Sequence, residues 1–221
     1  MKKFLIILLA IFTFILPAIA EVEPISPKIK IPKKYTDIYL EEIAKEYSKN
    51  TNQQTFHIAL DMMKGTSADY SRKAILGYNL TQKPIKIEFK ALTELNPAYE
   101  SYDAVGWKRR GQLYIYINPS HKNAPPAALA ALLSHEALHQ DEFNSLSEET
   151  YAWTMEATVW NEMVRLYPEA NDFDSPLVSR ENTLKQLLEK GKYSNKYIKQ
   201  TVYSKRAYKN LPLTSPGFKV E

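Results

Sequence analysis

Between Asn123 and Pro168 the sequence spells two consecutive helices, and this pair constrains the fold more than any other stretch. Asn123 suits an N-cap, and Pro125-Pro126 suit a first turn whose N–H groups have no intrahelical bond to lose. "AALAALLSHEALHQDEF" then reads as one helix to about Phe143, with Asn144 as a left-handed stop. Ser145 and Glu148 have the spacing of a capping box, with Ser147 as a rival cap. The second helix runs to about Tyr167, where Pro168 ends it. A chain that reverses at Asn144 and Ser145 brings the two helices together as an antiparallel hairpin.

The flanking segments have the period of an α+β domain with a few strands on one side of a helical body, spanning 35–221. "YTDIYLEEIAKEYSKN", "NQQTFHIALDMMKG" and "SADYSRKAILGYN" read as helices, the second stopping at Gly65. "PIKIEFKAL", "AVGWKRR" and "QLYIYINP" read as short strands, with a turn at Arg110-Gly111. Two further helices are expected near 176–190 and 193–209.

The first twenty residues stand apart. "MKKFLIILLAIFTFILPAIA" has a lysine pair, an apolar run from Phe4 to Leu16, and Ala18-Ile19-Ala20 before Glu21. That order is a secretory signal peptide over 1–20, implying a secreted, periplasmic or cell-surface protein. The stretch is broken by Thr13 and Pro17 and is short for a bilayer span, so no stable membrane insertion is expected after cleavage. Residues 21–34, with Pro24, Pro27 and Pro32, read as an extended linker.

Cysteine is absent from the chain. In an exported protein this removes disulfides, thiol chemistry and thiolate ligands, so any metal must be held by His, Asp or Glu. The formal charge of +4 includes two lysines of the signal, and what remains is too small to imply a polyanionic partner such as nucleic acid.

His135-Glu136-Ala137-Leu138-His139 is an H-E-x-x-H sequence. Helical residues four apart share a face, so both imidazoles can address one ion. Glu136 lies about 100° round the helix from His135, close enough to act on water at the ion without ligating it. Zinc accepts imidazole and carboxylate, and a catalytic zinc has three protein ligands and one open position. For the third, the hairpin places His139 about 7 Å before the turn and Glu149 about 7 Å after it, at the same level. Glu148 follows in preference and Glu142 comes third; Glu156 lies roughly 18 Å out.

HEALH followed by E-x-x-A on the next helix resembles the gluzincin metallopeptidases. The resemblance covers about twenty residues. It implies a zincin-like fold holding one zinc ion, with His135, His139 and Glu149 as ligands. Glu136 would be the general base and Ala152 the small residue that lets the helices approach. Many gluzincins have an acidic or amide residue four after the ligand glutamate, which orients a ligand histidine. Here that position is Trp153, whose indole cannot accept from an imidazole N–H. Either another group orients His135, with a backbone carbonyl, Glu156 and Asn144 as candidates, or the site is weaker than the family standard.

The reading that follows is an exported zinc metallopeptidase acting on a peptide or protein. Hydrolysis of another amide, such as a cell-wall peptide crosslink, would use the same residues. "QLYIYINP" is in the position of the edge strand along which a peptide substrate lies. Tyr193 and Tyr197 are candidates to stabilise an oxyanion. The rival reading is a non-catalytic binding or scaffold protein using the run from Lys190 to Lys209, which has seven basic residues, four tyrosines and no acid. His57 and His121 read as structural or surface groups.

Overall fold

In the computed structural model, which describes residues 21–218, three helices come first: α1 (Asp37–Tyr47), α2 (Gln54–Met62) and α3 (Asp69–Leu76). Strands β1 (Lys86–Phe89), β2 (Ala104–Arg109) and β3 (Gln112–Ile117) follow. Helices α4 (Pro126–Glu136), α5 (Leu146–Leu166), α6 (Pro176–Lys190) and α7 (Lys196–Ser204) complete an α+β fold. The expected export signal at 1–20 lies outside the described residues. No described helix is long and apolar enough to cross a membrane.

The sheet has the order β1-β3-β2. β1 runs parallel to β3, with Ile87 opposite Ile115, and β2 runs antiparallel, with Gly106 opposite Ile115. The β2–β3 hairpin turns at Arg110 (φ 51°) and Gly111 (φ 72°), both left-handed, which matches the twist of the strands it joins. β3 is therefore paired on both sides. The edge strands are β1 and β2, so "QLYIYINP", the central strand, is not the edge strand expected from its place in the sequence.

α4 is buried along its whole length. Its Ala-rich sequence lets α2, α3 and α5 come close on several sides, and Leu129, Leu132 and Leu133 fill the gaps. Burying each such leucine stabilises the fold by about 1.5–3 kcal/mol. Phe56, Ile58, Met63, Ile87, Ile115 and Trp160 belong to the same core. A smaller cluster of Trp153, Ala157, Leu184, Leu188, Ile198 and Val202 fastens α5 to α6 and α7.

Residues 21–34 are in contact with this body. The Glu23 N–H donates to the Asn52 carbonyl (2.8 Å), the Gln54 N–H donates to the Glu23 carbonyl (2.9 Å), and Ile29 is buried. The segment ends at Lys34, beside Asp61 of α2 (3.4 Å). Asp61 is buried and also accepts from the hydroxyls of Tyr35 and Tyr39, each at 2.9 Å.

Candidate metal centre

The helix carrying His135 is shorter than its sequence predicts. α4 ends at Glu136, not near Phe143, and the chain tightens through Leu138 N–H to His135 carbonyl (3.0 Å) and His139 N–H to Glu136 carbonyl (3.2 Å). Two causes are visible. β2 crosses here so closely that a Cβ on Gly106 would lie 3.0 Å from the His139 Cβ, and His139 or the strand would have to give by a few tenths of an ångström. Beyond it the Asp141 carboxylate accepts the Phe143 N–H (2.8 Å), offering the backbone a bond that competes with helix. His139 thus sits on the terminal turn, with its ring 5.1 Å from that of His135.

Asn144 is not a left-handed stop, since it is not among the residues with positive φ. Its Oδ1 accepts the Ser145 N–H (2.6 Å) and its Nδ2 donates to Glu149 Oε1 (2.6 Å). Ser145 is the N-cap of α5, its hydroxyl accepting from the Glu148 N–H (3.1 Å). Glu148 does not complete the box; its Oε1 accepts from His139 Nδ1 (3.0 Å) and its Oε2 from the Ser215 hydroxyl (2.9 Å). Glu142 is exposed and belongs to no ligand group.

Three ligand atoms converge. His135 Nε2 is 3.9 Å from Glu149 Oε2, His139 Nε2 is 3.8 Å from Glu149 Oε1, and one atom from each of the three residues lies within 4.8 Å of the others. Tetrahedral ligands at zinc distances are about 3.4 Å apart, so the group must draw together from separations of up to 4.8 Å to close on one ion. Both rings have Nδ1 engaged by a carboxylate, which keeps Nδ1 protonated and makes Nε2 the atom of each neutral ring that can address an ion. Glu149 Oε2 is buried without a hydrogen bond of ordinary geometry, the Tyr208 hydroxyl being the polar group that interacts with this carboxylate. A buried carboxylate oxygen left in that state is destabilising, and a cation between the histidines satisfies it. The group His135, His139 and Glu149 could therefore hold a metal ion.

The surrounding charges are unequal. Burial pushes the Glu136 carboxyl up, with the two histidines offsetting only part of that, and its Oε1 is 3.9 Å from His135 Nε2. Burial opposes charge on His139, yet the bond to Glu148 and the nearby carboxylates push the metal-free imidazole up to about 9. Glu156 is fully buried and accepts from His135 Nδ1 at 2.9 Å. Burial alone would raise its carboxyl; the Arg180 guanidinium and His135 outweigh that and hold it well below the usual range. Arg180 reaches across from α6 to pair with Glu156, with Glu181 (2.9 Å) and with Asp103 (3.0 Å). Asp103 in turn bonds His121 Nε2 (2.8 Å). His57 is also structural, its Nε2 on the Thr51 carbonyl (3.0 Å).

The three residues border a cleft of about 720 Å³. Residues 104–108 of β2, with Tyr99 and Tyr102 before them, form one wall, and Tyr208 stands on the other. Neither Tyr193 nor Tyr197 lines it: Tyr193 is exposed, and the Lys190 ammonium lies 4.6 Å from the Tyr197 ring centroid. Tyr208, on a short turn after α7 (Arg206–Tyr208), had no local signal in the sequence. Trp153, the position where the gluzincin pattern has an acid or amide, donates its indole N–H to the Tyr208 hydroxyl (3.3 Å). A larger groove of about 900 Å³ lies against another face of α5, lined by Tyr70, Tyr151 and Tyr203, and none of the three residues borders it. No protein-family model matches the chain, and no curated protein or solved structure is significantly similar to it.

Proposed function

We propose that this chain is an exported zinc-dependent metallopeptidase of zincin-like, gluzincin-type architecture. The observation that carries the reading is the convergence of His135 Nε2, His139 Nε2 and the buried Glu149 Oε2, each held from behind. Two imidazoles and a carboxylate, with no thiolate in the chain, are a donor set suited to zinc with one position left open. Zinc bound there supplies Lewis-acid polarisation of a carbonyl and lowers the pKa of water towards about 7.

The chain's own groups do the rest. Glu136, buried and raised in pKa, takes the proton of the attacking water and delivers it to the leaving amine. Tyr208 has its hydroxyl pKa pushed up by burial and by Glu149, so it stays protonated and donates a hydrogen bond to the developing oxyanion. The unpaired edge of β2 receives the extended peptide through backbone hydrogen bonds, which demand little of the substrate's sequence.

The test compares Glu136→Gln with Glu149→Ala, measuring zinc content and hydrolysis of fluorogenic peptides. Glu136→Gln is expected to keep zinc and lose roughly 10²–10⁴ in rate. Glu149→Ala is expected to lose zinc affinity. A purified protein that holds no zinc and takes up none at micromolar concentration overturns the proposal.

A further inference from the structure

We propose that Lys205 is the recognition group of a carboxylate-binding recess beside the metal ligands. The favoured substrates are then peptides with a carboxylate next to the bond that is cut, either an acidic side chain or a free C-terminus. The substrate assignment rests on the hydrolase reading above; the recess itself does not.

A recess of about 150 Å³ opens off the main cleft and shares His135, Glu136, Tyr102 and Tyr208 with it. Arg180, Asp103, Trp153 and Lys205 form the rest of the wall that matters. Its volume corresponds to about five waters, enough for a short acidic side chain.

The pairing of charges in this wall is uneven. Arg180 is shared among Glu156, Glu181 and Asp103, Glu156 also holds His135, and Asp103 also holds His121. Lys205 forms no ion pair with any described residue. Its ammonium instead lies 4.2 Å from the ring centroid of Trp153, the same indole that holds the Tyr208 hydroxyl. The aromatic face positions the cation at the recess without neutralising it. Lys205 is exposed on its outer side; partial desolvation and the neighbouring Arg180 lower its pKa, Asp103, Glu149 and Glu156 offset only part of that, and an incoming carboxylate would favour the charged form further. This also gives Trp153 a purpose that an acid or amide at the same position would not serve, since a carboxylate there would pair with Lys205 and close the recess to anions.

The experiment uses the zinc-loaded full chain and peptides differing only in Glu against Gln beside the scissile bond, each as the C-terminal acid and as the amide. The wild type is expected to favour the carboxylate member of a pair by about tenfold in kcat/KM. The Glu/Gln arm and the acid/amide arm tell the two carboxylate sources apart. Lys205→Met keeps an apolar stem over Trp153 and should bring that ratio close to one, while Lys205→Arg should retain it. In parallel, calorimetry measures binding of N-acetylglutamate α-amide and its glutamine analogue to wild type and Lys205→Met, where any carboxylate bound directly to zinc is common to both proteins. Peptides cleaved without preference for a carboxylate, or a preference that survives in Lys205→Met, overturn the inference and leave the hydrolase reading standing. Selective, Lys205-dependent binding in a protein that cleaves no peptide retains the recess and removes the hydrolase reading. Equal binding of both analogues to wild type removes the recess.

Discussion

His135 donates from Nδ1 to Glu156, which stands seven residues after Glu149 on the same face of α5. One helix therefore supplies both a carboxylate of the candidate metal group and, two turns later, the oxygen that holds His135 in place. Arg180 fixes the charge of the second from α6. Glu156→Gln should weaken zinc binding about 10–100-fold by loosening that histidine. It should also destabilise the metal-free protein by about 3–5 kcal/mol, because Arg180 loses its main buried counter-charge. Chelator competition and denaturant titration measure the two effects. Zinc affinity within twofold of wild type would show that Glu156 serves the fold alone.

The approach of β2 to the terminal turn of α4 leaves a side chain at position 106 pressed against His139. Gly106→Ala must displace His139 or the strand, and an overpacked contact of this kind costs about 1–3 kcal/mol. Because the displaced residue is a ligand, the expected signature is a fall in zinc affinity larger than that of Gly111→Ala, where nothing surrounds the new Cβ. Thermal denaturation of both variants, with and without zinc, makes the comparison. Equal zinc dependence in the two would remove the steric argument.

Zinc binding should release protons. In the metal-free protein the His139 imidazole is pushed up to about 9, so it is charged at pH 7 and must be neutral to ligate. Affinity should rise with pH until about 9 and level off above it, with about one proton released per zinc at pH 7. Calorimetry in buffers of different ionisation enthalpy counts the protons. A count of zero at pH 7 contradicts the electrostatics assigned to Glu148 and Glu149.

Asp61 offers a check on the fold away from the site. Burial would raise its carboxyl, but the Tyr39 and Tyr35 hydroxyls and Lys34 hold it below its ordinary value. A carboxyl depressed in the folded state contributes stability above its unfolded pKa of about 3.9 and loses it as pH falls through the folded value. Asp61→Asn is therefore expected to destabilise by about 2 kcal/mol at neutral pH, with the gap to wild type narrowing below about pH 4. Urea titrations at pH 7 and pH 3.5 decide it; a gap that stays constant across that range would mean the carboxylate charge is irrelevant.

Periodicity and capping residues in the sequence located nearly every element. Gly65 and Gly111 sit in left-handed turns where the chain stops or reverses, Ser145 caps α5, and α6 spans 176–190 as its pattern requires. These signals are local, because each depends on backbone preferences and side-chain spacing within one or two turns. The spacing of His135 and His139 and the level of Glu149 were legible for the same reason. The arrangement around them was decided by tertiary structure. β2 ends α4 early, Asn144 turns its amide to Glu149 in place of a helix stop, and Glu156, Arg180 and Tyr208 reach the site from other elements. Selection among 25 acids and 15 tyrosines depends on which of them the packing brings within a few ångströms, and contacts at that range carry no period along the chain. Local chemistry in the sequence pointed to the three groups that could hold a metal ion, and the packing of α5, α6 and β2 determined what surrounds them.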